Sequence, residues 1–211
     1  MMYGVHLNMY IVHFRCGGVN MYSAGMSYPS KTDRRTILAA AMNQVAQYGI
    51  GKLAIRSVAA ELGLAPNALY RYFDNLAALA AALADESRTR LLDKLQTAVS
   101  AGHPADTIRA IAESYLQFSR DHPALFALTL LPGAAEDDAE PSHLKSWNFT
   151  RAHVARLYGE ERASEATVAL WAFLHGMTAL EAAGIFGETK PASSVEFGLQ
   201  MWIDAAGPGP K

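Results

Sequence analysis

Two side chains in the stretch PNALYRYF carry hydrogen-bonding groups suited to the edges of DNA bases. The amide of Asn67 can pair twice with adenine, and the guanidinium of Arg71 can grip guanine in the same two-point fashion. They are four residues apart, so a helix sets them on one face, with Ala68 beside them. Tyr70 and Tyr72 add phenols that can reach phosphate or pack. Arg34, Arg35, Arg56 and Ser57 are further candidates for the phosphate backbone. Catalysis has less to work with: there is no serine on a glycine elbow, no phosphate-cradling glycine loop, no His-Glu-x-x-His and no paired cysteines. No catalytic residue, metal site or cofactor is therefore expected. His175 could carry a proton in a small helical enzyme, but a buried hydrogen-bonding histidine is the simpler reading.

The elements that must position these groups are legible around them. Ile55, Val58, Ala59 and Leu62 fall at i, i+3, i+4 and i+7, one apolar stripe on a short helix. Gly63 accepts the left-handed backbone of a sharp turn, and Leu64 can drop into the crease behind it. Pro66 suits a first helical position, and Leu69, Tyr72 and Phe73 give the second helix a buried edge. Asn67, Ala68, Tyr70 and Arg71 are left outward. Two short helices joined by a glycine turn form a helix-turn-helix DNA reader. Before it, a helix capped by Thr32 or Asp33 carries Ile37, Leu38, Ala41, Met42, Val45 and Ala46 as a brace, with Arg34 and Arg35 in its first turn. After it, Asp74 or Asn75 caps a helix without internal proline or glycine, running to about Ser100 and spanning on the order of 35–40 Å.

The run LAPNALYRYFDNLAAL resembles the end of the DNA-binding domain of the tetracycline-repressor (TetR) family, most specifically in Leu-Tyr-x-Tyr-Phe. The resemblance covers Thr32 to Leu83, and Trp171, His175 and Gly176 in WAFLHG look like the Trp-His-Gly type of TetR ligand-binding domain. It implies an all-α fold, with an N-terminal three-helix reader followed by a helical ligand-binding and dimerisation domain. It also implies that the long helix transmits ligand occupancy to the readers. The chain departs from the family pattern at Ala54, Ala65, Ala68 and Leu76, where threonine, serine, threonine and lysine are common. Each loss removes a hydroxyl or a charge, which points to weaker or differently specified DNA binding.

Composition sets the surrounding limits. The 211 residues are 51% hydrophobic and 18% charged with formal net charge −2, so attraction to nucleic acid must be local. Between Lys31 and Leu76, Lys31, Arg34, Arg35, Lys52, Arg56 and Arg71 outnumber Asp33, Glu61 and Asp74. The single Cys16 excludes an internal disulfide and fits a reducing cytoplasm. No apolar run reaches bilayer length, so no membrane partner is expected. Residues 1–30 read as a poorly structured extension rather than an arm along DNA, since Arg15 is their only basic residue, and Met26 can serve as the start. The acidic stretch Pro132 to Pro141 reads as solvated loop, and residues 207–211 as a frayed tail.

Helices are expected over Ala105 to Asp121, Lys145 to Leu157, Ser164 to Gly184 and Ser194 to Ile203, with residues 31–80 as reader and 81–206 as second domain. The third of these spaces Ala169, Ala172, Gly176, Ala179 and Ala183 three and four apart, a seam for close helix approach. Leu199 and Trp202 on the last helix are expected to join it, and the resemblance implies a four-helix homodimer interface. For the pocket of a sensor domain the candidates are Tyr115, Phe118, Phe126, Trp147, Phe173, His175 and Met177, implying a small, largely apolar effector. The resulting expectation is a ligand-responsive regulator, a repressor released from a near-palindromic double-stranded operator by that effector. The alternative, drawn from the four departures, is a small-molecule binding protein of the same fold with weak or lost sequence-specific DNA binding.

Overall fold

A computed structural model describes residues 32–100, 102–133, 141–187 and 192–207. The expectations for residues 1–30, for most of the acidic loop and for 208–211 lie outside them. Among the described residues the chain is helical throughout, with no strand. The helices are α1 (Arg34–Tyr48), α2 (Ile55–Glu61), α3 (Pro66–Leu69), α4 (Leu76–Ala98), α5 (Pro104–Asp121), α6 (Pro123–Leu128), α7 (Ser142–Tyr158), α8 (Ala163–Ala182) and α9 (Ala192–Asp204).

Local chemistry sets most of the boundaries. Of the two candidate caps before α1 it is Asp33 that accepts from the Thr36 N–H, at 2.7 Å, and this bond together with one from the Thr36 side chain holds its carboxyl below the usual carboxylate range. Asn75 rather than Asp74 caps α4, accepting from Ala78 N at 2.8 Å. Proline opens α3, α5 and α6, where its missing N–H costs nothing. α7 begins at Ser142, three residues ahead of the expected Lys145, directly after Pro141. It buries Thr150, Val154 and Leu157, while Arg151 turns outward to Glu160 at 2.7 Å.

Two hydrophobic clusters result. The first joins α1, α2, Leu69 and Phe73 to the first half of α4 through Leu79, Ala82 and Leu83. The second joins Leu91 and Leu95, later on α4, to α5, α7, α8 and α9. α4, about 35 Å long, is common to both. α6 bridges them as well: Leu125 and Leu128 enter the first cluster and Phe126 the second. A boundary drawn between residues 80 and 81 therefore falls inside one continuous helix.

Candidate nucleic-acid interface and ligand cavity

The turn between α2 and α3 is a double-bonded helix stop. Gly63 takes φ +65°, its N–H donates to Ala60 O at 3.1 Å, and the Leu64 N–H reaches back to Ala59 O at 2.8 Å. Leu64 is thereby turned inward against the first cluster, as its position after the glycine leads one to expect. α3 is a single turn of helix, prolonged by bonds from Tyr72 N and Phe73 N to Leu69 O at 2.9 and 3.0 Å. Leu69 and Phe73 are buried beneath it, while Asn67, Tyr70 and Arg71 are exposed and Ala68 is half-buried at the edge. Arg35, Arg56 and Ser57 are also exposed.

Arg34 and Tyr72 are placed differently from a simple phosphate-binding reading. The Arg34 guanidinium lies over the Phe73 ring, 4.5 Å from its centroid, and donates to Tyr72 O at 3.2 Å. The half-buried Tyr72 donates its hydroxyl proton to Thr32 O at 2.7 Å. These contacts tie the start of α1 to the end of the reader. The spacing of thirty-eight residues between Arg34 and Tyr72 conceals the pairing from a local reading.

Between α4, α5, α7 and α8 lies a cavity of about 370 Å³ whose walls include Leu91, Tyr115, Leu130, Val168 and Trp171. Of the expected pocket residues, Tyr115 and His175 line it. Two others back it: Phe126 stacks on the His175 ring at 5.2 Å, and Trp147 meets Trp171 edge-on at 5.5 Å. Phe118, Phe173 and Met177 do not line this cavity. Phe118 faces His122 in the α4–α5 core, Met177 is buried in the second cluster, and Phe173 lies beneath α9. At that crossing Gly198 permits close approach, since a Cβ there would lie 2.5 Å from Phe173 Cζ.

Tyr115, His175 and Arg88 in the wall are each held by polar partners. Tyr115 Oη and His175 Nδ1 are 2.8 Å apart. Burial pushes the phenol well above its ordinary range and the imidazole below its own, so both are neutral near pH 7. Arg88, also in the wall, is buried. It donates from Nε to Thr129 O at 3.0 Å, from Nη1 to Asp85 Oδ1 at 2.9 Å and Ser142 Oγ at 3.2 Å, and from Nη2 to Leu131 O. Nothing local in the chain marks Arg88, Ser146 or His143 as cavity residues. Trp171 was visible in the WAFLHG signature.

The five small residues Ala169, Ala172, Gly176 and Ala179 along α8 and Ala183 at its C-terminal cap are all exposed. Beside them Val168 is 56% exposed, and α9 adds Phe197 at 69% and Met201 at 58%. Leu199 and Trp202 turn towards the chain's own core: Leu199 is buried, and the half-buried Trp202 donates its indole N–H to Ala166 O at 3.2 Å. α9 is apolar on two sides, and the outward one carries Phe197 and Met201. Val168 and Ala172 belong both to the exposed face and to the cavity wall.

A glycine-turned reader on a long helix that enters a second, cavity-bearing helical bundle defines a helix-turn-helix transcriptional regulator. Residues 37–83 match the model of bacterial regulatory proteins of the tetR family, and residues 108–202 match the tetracyclin repressor-like C-terminal domain. The chain belongs to the TetR family. It is similar to an uncharacterized HTH-type transcriptional regulator of Mycobacterium tuberculosis, 28% identical over 167 residues that cover 76% of this chain and 75% of the relative. A protein of unknown function from Rhodococcus sp. RHA1 superposes with a TM-score of 0.70 at 26% identity, covering 87% of this chain and 98% of the other. A TetR variant from Acinetobacter baumannii AYE, solved in complex with minocycline, shares the fold with a TM-score of 0.64 at 19% identity, over 82% and 96% of the two chains.

Proposed function

We propose that the protein is a cytoplasmic, homodimeric repressor whose reader, residues 31–80, binds a near-palindromic operator and whose second domain, residues 81–206, releases it on taking up a small, largely apolar effector. The observation that carries this reading is that Asn67 on α3 and Arg71 in the turn after it are both exposed, beside a buried Leu69 and a half-buried Ala68. Arg35, Arg56, Ser57 and Tyr70 supply phosphate contacts around it, while Arg34 and Tyr72 hold the reader in shape. The exposed small-residue face of α8 with Phe197 and Met201 of α9 supports a two-fold interface. Two readers would then engage half-sites about 34–36 Å apart. The effector acts to the extent that it binds one dimer geometry better than the other, through α4 and α6, which are shared by both clusters. Footprinting on the DNA upstream of the gene tests this: two protected half-sites related by two-fold symmetry are expected, and uniform or absent protection would overturn it.

A second reading, an effector-binding protein with weak or lost DNA specificity, is favoured by the alanines at helix starts. Ala54 and Ala65 precede α2 and α3 with no side-chain cap, and Leu76 is 42% exposed at the start of α4. Effector binding that persists while the footprint is missing would select it.

A further inference from the structure

The geometry points to an effector that is uncharged and carries a carbonyl or ether oxygen, received by the Nε2–H of His175. This rests on the reading of the cavity as the effector site, and it follows from how Tyr115, His175 and Arg88 in the wall are already engaged. The Tyr115 hydroxyl is buried and His175 Nδ1, at 2.8 Å, is the acceptor within its reach. If the phenol donates, Nδ1 is the bare nitrogen and the proton of the neutral ring sits on Nε2. The opposite tautomer would leave a buried phenolic proton without an acceptor as well as an unmatched Nε2, so it strands more polar groups. Burial, which disfavours charge on both rings, acts the same way. Phe126 stacks on one face of the imidazole and fixes its plane. The wall thus offers the His175 Nε2–H as an oriented donor in a largely apolar space.

Arg88 does not convert that space into an anion site. A guanidinium has five N–H donors. Four are taken by Thr129 O, Asp85, Ser142 and Leu131 O, and the Asp85 carboxylate at 2.9 Å offsets its charge. A carboxylate placed against His175 and Arg88 would shed its water for a neutral imidazole and a guanidinium whose charge Asp85 already offsets. At about 370 Å³ the volume lies near the small end of ordinary ligand pockets, enough for a compact ring system.

Calorimetric titration of the full-length protein with three probes of one size tests the assignment: 2-acetonaphthone, 2-ethylnaphthalene and 2-naphthoate. The ketone is expected to bind about fivefold tighter than the hydrocarbon, the effect of roughly 1 kcal/mol from one neutral hydrogen bond, and the carboxylate weaker than both. In His175→Phe the ketone's advantage should vanish while the hydrocarbon still binds. Nitrogen-15 spectra of His175 supply a readout independent of that variant's folding, with Nε2 protonated and Nδ1 bare. Naphthoate binding tightest, ketone and hydrocarbon binding equally, or a protonated Nδ1 would overturn the assignment while leaving the cavity as an effector site. Binding of none of the three would instead remove the cavity reading, and the assignment with it.

Discussion

Arg88 and Asp85, one turn apart on α4 and joined at 2.9 Å, sit beneath the segment that leaves α6 and the first turn of α7. The arginine collects carbonyls from Thr129 and Leu131, and Ser142 donates to Asp85 at 2.6 Å. The pair therefore fastens the shared helix to the segment that bridges both clusters. Ser87 strengthens the fastening by donating to Leu125 O at 2.6 Å. Removing one partner of a buried ion pair leaves polar groups stranded, so Arg88→Ala should destabilise the fold by about 3 kcal/mol or more. That corresponds to a fall in Tm of roughly 6–12 °C in a chain of this size, read by calorimetry. A shift under about 2 °C would mean the network contributes little.

Acid should weaken the fold through two half-buried histidines. His175 and His153 both have pKa values pushed below the ordinary 6.5, chiefly by burial, and the buried Nδ1 of His153 has no hydrogen-bond partner. Below about 6.5 the unfolded chain takes up protons that the native chain resists, so stability is fully present above that value and declines as pH falls towards the native pKa values. Urea midpoints across this window should fall with acid, and fall less steeply in His175→Phe. An equal slope in that variant would assign the loss to other groups.

Two arginines close to the reader should respond differently to removal. Arg56 is exposed, whereas Arg34 is spent on the Phe73 ring and the Tyr72 carbonyl. Arg56→Ala should lower the slope of log affinity against log salt by about one, the signature of a lost phosphate contact. Arg34→Ala should leave that slope nearly unchanged while lowering affinity and thermal stability. Binding isotherms at four salt concentrations separate the two cases.

The open face of α8 and α9 predicts the assembly. Phe197→Asp combined with Met201→Asp places two charges where more than half of each apolar side chain is now exposed, at 69% and 58%. Neither substitution disturbs the subunit core, so the fold should survive. Sedimentation equilibrium should show a dimer for the native chain and a monomer for the double variant. A dimer in both would place the interface elsewhere.

What the sequence disclosed depended on range. Gly63, Leu64 and Pro66 specify a turn through their own backbone preferences, and the stripe Ile55, Val58, Ala59 is periodic, so the reader was legible residue by residue. The choice of Thr150 over Arg151 for the buried side of α7 needed only helical phase. The cavity was less accessible because its walls come from helices far apart in the chain. Tyr115 and His175 were found as chemically distinctive residues, while Arg88 and Ser146 have no local mark. Phe118, Phe173 and Met177 are of the right type but rotate into other contacts. Leu199 and Phe197 make the same point on α9: both are apolar, and only packing against α8 decides which one is left outside.

The measurement that bears most directly on the account is equilibrium binding of the purified protein to its own upstream DNA, beside Arg71→Ala, with excess unrelated DNA as competitor. The account predicts saturable binding that resists the competitor and weakens by about 1–3 kcal/mol in the variant, since Arg71 is exposed on the reader and suited to two hydrogen bonds with guanine. Binding that is absent, or equal for any DNA and for the variant, would contradict a sequence-specific regulator.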